Sequence, residues 1–134
     1  MNQSIISLGS NISPEANIAK ARERLKQDFK VLAESAFVTT RAVGGVHQPD
    51  FLNGAVLIET DLGLEPLKSR LKELEQTLGR EEGQHGFNPR TIDLDAVVFN
   101  GVLIDKDFYR RDFLRKSVLE LAPELKGKLK CSDT

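Results

Sequence analysis

Apolar and polar positions fall into two rhythms along this chain. "SIISLG" (Ser4 to Gly9) is a short apolar run that reads as a first strand. Ile18, Ala21, Leu25 and Phe29 then recur at helical spacing. Pro14 suits the first turn of that helix, with Ser13 as its N-cap. "KVLAESAFVTT" (Lys30 to Thr40) alternates and predicts a second strand, and "FLNGAVLIET" (Phe51 to Thr60) a third. The clearest helix follows. Leu64, Leu67, Leu71, Leu74 and Leu78 make one apolar stripe, Pro66 lies in the first turn, and Gly79 stands where a C-terminal cap is expected. "RTIDLDAVVF" (Arg90 to Phe99) predicts a fourth strand. "NGVLID" reads as a turn into a short strand, and a short helix is expected around Ser117 to Leu121.

The order β-α-β-β-α-β predicts an α+β sandwich with both helices on one face of an antiparallel sheet. The 134 residues fit a single domain, 1–134, with no repeat, low-complexity segment or linker. A formal net charge of −1 offers no basic surplus for nucleic acid or an anionic membrane. No apolar run approaches the roughly 20 residues that span a bilayer, and no signal peptide is visible. The lone cysteine, Cys131, sits in a polar tail and cannot form an internal disulfide. A cytoplasmic protein is expected.

Asp93 and Asp95 interrupt the fourth strand. Side chains in a strand alternate, so both carboxylates share a face while Ile92 and Leu94 point into the core. Two like charges about 7 Å apart raise each other's pKa unless a cation lies between them. Oxygen ligands without a neighbouring His or Cys suit Mg²⁺, and a carboxylate pair can support two such ions on a polyphosphate. Arg90, just upstream, can take a phosphate oxygen bidentately, and Arg80 opens the preceding glycine-bearing loop. A plain solvated strand face is the competing reading. Neither G-x-x-x-x-G-K-[ST] nor G-x-G-x-x-G occurs, so a nucleotide would not be held by either of those loops. Phe51 and Asn53 share a face of the third strand. A planar polar ligand could use the ring of one and the amide of the other. His47 and His85 lie in loops without a partner at metal-ligand spacing.

Together, "ISLGSNI" (Ile6 to Ile12), "QPDFLNGAV" (Gln48 to Val56), "LEQTLGR" (Leu74 to Arg80), "NPRTIDLD" (Asn88 to Asp95) and "ELAPEL" (Glu120 to Leu125) resemble the 6-hydroxymethyl-7,8-dihydropterin pyrophosphokinase family of folate synthesis. The resemblance covers most of the chain, with the motifs in the family's order. It implies a ferredoxin-like fold and transfer of the β,γ-pyrophosphoryl group of ATP to the pterin's hydroxymethyl oxygen, releasing AMP. It implies that Asp93 and Asp95 hold two Mg²⁺ ions and that Arg80 and Arg90 contact phosphates. Glu75 and Arg111 fall near the nucleotide. Asn53 reads the pterin's polar edge, Phe51 and Phe113 flank its ring, and backbone around Thr40, Val43 and Gly44 completes the pocket. The partners implied are ATP and the hydroxymethyl-dihydropterin alone, and a monomer is expected.

The chain also departs from the family pattern. Glu82 stands where a second loop arginine is usual, Asn88 replaces a glycine, and Phe87 keeps an apolar role in place of an aromatic that is often tryptophan. The segment between Asp95 and Arg111 is short and has no histidine. These departures keep a second reading open, a divergent, catalytically weak or inactive homologue that binds pterin or nucleotide.

Overall fold

The computed structural model of the protein describes residues 1–40, 50–81, 92–104 and 112–123. Its strands are β1 (Asn2–Ser10), β2 (Lys30–Glu34), β3 (Val38–Thr40), β4 (Phe51–Thr60), β5 (Asp93–Phe99) and β6 (Val102–Leu103). Its helices are α1 (Pro14–Asp28), α2 (Leu64–Glu81) and α3 (Asp112–Leu121). The strands form one sheet in the order β2-β4-β1-β5-β6, with β3 also pairing β4, and every pairing is antiparallel. This is an α+β architecture consistent with a ferredoxin-like fold.

β1 lies at the centre and is buried on both faces, which is why "SIISLG" reads as a continuous apolar run. It pairs with β4 from Asn2↔Thr60 to Ser10↔Leu52 without a slip. Ile6 and Leu8 on β1, Val56 and Ile58 on β4, and Leu94 and Ala96 on β5 face one way. There they meet Ile18, Ala21 and Leu25 of α1 and the leucine stripe of α2. Ile5, Ala55 and Val97 face the other way, where Leu114 and Val118 of α3 cover them. α1 and α2 therefore share a face as expected. α3 begins well before Ser117 and forms a second layer over part of the opposite face. Its apolar positions recur at helical spacing, Leu114, Val118 and Leu121, with Leu121 packed against the same cluster.

Three local expectations change. "KVLAESAFVTT" is two strands, β2 and β3, both lying along β4. The break falls at Ser35, whose hydroxyl accepts the Ala55 N–H at 2.9 Å while its own N–H reaches the Ala55 carbonyl at 2.8 Å. The ladder is kept as the chain bends. Phe37 then packs over Gly54, where a Cβ would overlap the ring. Gly79 does not cap α2, which continues through it to Glu81. A glycine costs a helix interior only about 1 kcal/mol, and α2's buried stripe outweighs that. Ser13 does occupy the N-cap of α1, but in the left-handed region with φ 39 and without a side-chain capping bond. The turn is tied instead by the Asn17 amide and the Ser10 hydroxyl, both donating to the Ile12 carbonyl.

Candidate functional site

The polar patch lies on the face away from α1 and α2, where β1, β4 and β5 run side by side. Gly9 on β1 is in register with Asn53 on β4 and with Asp93 on β5. One row across three strands thus reads Asn53, Gly9, Asp93, placing the amide about 10 Å from the carboxylate. Gly9 provides the clearance between them. A Cβ there would stand 2.8 Å from the Asn53 Oδ1. A glycine inside a strand often marks such a close approach. Its place in "ISLGSNI" was the available signal, and no role follows for it from the sequence alone.

Asn53 is nearly buried, at 7% exposure. Its Nδ2 donates to the Thr40 Oγ1 at 2.6 Å. Thr40 pairs with Phe51, and Val38 with Asn53, so Thr40 and Asn53 are diagonal neighbours on one face. Phe51 is half-buried on the same face. Three residues expected at a planar ligand, Thr40, Phe51 and Asn53, are therefore adjacent.

At the other end of the row three carboxylates converge. Oxygens of Glu75, Asp93 and Asp95 all lie within 4.8 Å of one another. The two aspartates thus approach more closely than the strand repeat alone implies. Glu75 comes from α2, which packs along β5. Among the described residues β6 pairs only with Val98 and Phe99, so the start of β5 is an open sheet edge. Glu75 Oε2 fills that gap by accepting the Leu94 N–H at 2.7 Å. Lys72 Nζ stands 3.8 Å from the other carboxylate oxygen. Burial pushes the Glu75 carboxyl up to about 7. The neighbouring Asp93 adds to the rise, by charge and by hydrogen bonding, while the Leu94 N–H and Lys72 oppose it. Asp93 is half-buried and Asp95 exposed. This donor set is all hard oxygen, crowded, and held by a strand and a helix. Its chemistry fits a divalent cation of the Mg²⁺ class.

Of the remaining residues expected at the site, Arg80 lies on α2 and Phe113 on α3, and their side chains are outside the described part of the structure. Val43, Gly44, Arg90 and Arg111 also lie outside the described residues, as do the departures at Glu82, Phe87 and Asn88. No helix among the described residues is long and apolar enough to cross a membrane.

Several proteins are similar to this chain. The folate synthesis bifunctional protein of Arabidopsis thaliana is 34% identical over 123 residues, covering 89% of this chain and 25% of that protein. The bifunctional protein FolKE of Lactococcus lactis is 34% identical over 132 residues, covering 90% of this chain and 38% of that protein. The chain thus spans between a quarter and two-fifths of these bifunctional relatives. The 2-amino-4-hydroxy-6-hydroxymethyldihydropteridine pyrophosphokinase of Methylorubrum extorquens is 33% identical over 136 residues, covering 93% of this chain and 85% of that protein. The family model for 7,8-dihydro-6-hydroxymethylpterin-pyrophosphokinase matches residues 5–123, from the central strand to the end of α3, including every strand that carries the site. The chain belongs to the 7,8-dihydro-6-hydroxymethylpterin-pyrophosphokinase family.

Proposed function

We propose that this chain, with residues 1–134 as one catalytic unit, transfers the β,γ-pyrophosphoryl group of ATP to the hydroxymethyl oxygen of 6-hydroxymethyl-7,8-dihydropterin, as a step of folate biosynthesis. The observation that carries the reading is the row Asn53, Gly9, Asp93, which joins a ring-reading amide to a carboxylate cluster on one sheet face. Family membership supplies the substrate pair. The hydroxymethyl oxygen forms the new bond to the β-phosphorus, the bond from that phosphorus to the α,β-bridging oxygen breaks, and AMP departs with the bridging oxygen. The hydroxyl proton is released to solvent.

Reactions of this type ask the protein mainly for alignment and charge neutralisation. Asn53 and Phe51 fix the pterin, with Phe113 on its other side and backbone around Thr40, Val43 and Gly44 closing the pocket. Asp93 and Asp95 would hold two Mg²⁺ ions, with Glu75 as a further oxygen beside them, and the bound metal supplies neutralisation of the polyphosphate charge. Arg80, Arg90 and Arg111 bring guanidinium groups to the phosphates. A cytoplasmic monomer acting on small molecules, independent of nucleic acid and membrane, completes the reading, and light scattering on the eluted protein checks the monomer.

Product analysis tests the whole. The protein is incubated with ATP, Mg²⁺ and the pterin, and AMP is separated from ADP. Pterin-dependent AMP is the expected result. ADP, or no nucleotide product from folded protein, rejects the assignment, and pterin binding without turnover would identify a non-catalytic homologue.

A further inference from the structure

Among the described residues, the Asn53 side chain makes one hydrogen bond, from Nδ2 to the Thr40 hydroxyl. That bond leaves its carbonyl oxygen on the Gly9 side, in the middle of the row that ends at Asp93. We infer that Thr40 acts through its side chain as a positioning residue, holding the Asn53 amide so that Oδ1 presents a fixed acceptor to an N–H-bearing edge of the substrate ring.

Three features carry this. First, an asparagine amide has two faces of opposite hydrogen-bonding sense, and a ring edge is discriminated only when one of them is fixed. The 2.6 Å bond to Thr40 anchors the amide plane, with Nδ2 outward toward β3 and Oδ1 on the Gly9 side. Second, threonine is β-branched, and its χ1 is stiff. A hydroxyl on β3 is therefore a rigid anchor for a side chain on β4, and diagonal pairing puts the two within reach. Third, Gly9 closes the arrangement from the opposite side. Oδ1 lies 2.8 Å from the point a Cβ at Gly9 would occupy. Any larger residue there would push the amide out of the orientation that Thr40 holds. Gly9 opens the space and the Thr40 hydroxyl supplies the anchor, so that hydroxyl acts on the ligand through Asn53.

This inference rests on the proposed pterin substrate, and the experiment separates the two. Thr40→Val removes the hydroxyl with little change of volume and keeps a residue suited to a strand. Thr40→Ser restores the hydroxyl. The first readout needs no ligand. The Asn53 side-chain amide resonances, assigned by their loss in Asn53→Asp, should shift and exchange faster in Thr40→Val and return toward wild type in Thr40→Ser. The second is titration of 6-hydroxymethyl-7,8-dihydropterin with Mg²⁺ and α,β-methylene-ATP present, an analogue that cannot undergo the transfer. Thr40→Val should weaken pterin binding about tenfold, as expected for loss of an orienting hydrogen bond, and leave the nucleotide analogue's affinity unchanged. Thr40→Ser should bind within about twofold of wild type. Unchanged amide resonances in Thr40→Val would overturn the inference. So would wild-type pterin affinity in that variant, or equal loss of pterin and nucleotide binding. If wild-type protein binds no pterin, the proposed function falls, and the amide resonances alone decide the role of Thr40.

Discussion

Glu75 holds a proton at a pH where an ordinary glutamate would not, and that makes its cost measurable. Its side chain is 12% exposed, packed between α2 and the open edge of β5. Burial raises its pKa from 4.5 to about 7, with Asp93 contributing. In the unfolded chain the carboxyl ionises near its ordinary value, so folding favours the protonated form. The stabilisation this group offers is present below pH 4.5 and is lost as the pH rises through about 7. Each unit of difference corresponds to about 1.4 kcal/mol, so the metal-free protein should lose up to about 3 kcal/mol from this residue between pH 5 and pH 8.

Glu75→Gln isolates the effect. The glutamine carbonyl can still accept the Leu94 N–H, but the charge never appears. Urea unfolding with a chelator present, at pH 5 and pH 8, compares the two proteins. They should be about equally stable at pH 5, with the variant more stable by up to about 3 kcal/mol at pH 8. Groups that do not interact with residue 75 cancel in the difference. A stability difference that does not change with pH would refute the placement of Glu75 in a crowded, desolvated carboxylate cluster.

Asp95→Ala should abolish Mg²⁺-dependent AMP formation while leaving the melting temperature near wild type, since Asp95 is exposed; retained turnover would reject Asp95 as a metal ligand. Asn53→Ala should weaken pterin binding more than ATP binding in paired titrations, and equal losses would count against its assignment to the ring. Gly54→Ala would force a Cβ into the Phe37 ring; a loss of about 1–3 kcal/mol in urea unfolding is expected, and wild-type stability would show that Phe37 does not pack over Gly54 as described. Glu82→Arg should tighten ATP binding, and an unchanged affinity would mean that the loop charge does not reach the phosphates.

The face assignment was legible from strand periodicity alone. Leu94 and Ile92 are buried against the helices, and Asp93 and Asp95 turn away from them, because a period of two leaves no alternative once one side is apolar. Phe51 and Asn53 followed by the same rule. The third carboxylate was not readable in that way. Glu75 is four residues after Leu71, one step beside the leucine stripe, so the helical repeat itself puts an acid at the edge of the buried face. What no repeat contains is the distance from α2 to the open edge of β5. That depends on β6 being two residues long and pairing only beyond Val97. The split of "KVLAESAFVTT" escaped for a related reason. Its alternation is strand-like throughout, and only the Ser35 hydroxyl, substituting in the ladder, lets the chain bend without losing β4 as its partner. That bend has a consequence for the site. Had the segment run on as one strand, the register set by Glu34↔Val56 would have placed Thr40 opposite Asp50, one residue out of step with Phe51. The polar row from Thr40 to Asp93 therefore depends on a break in regular structure, and a sequence pattern records regular structure best.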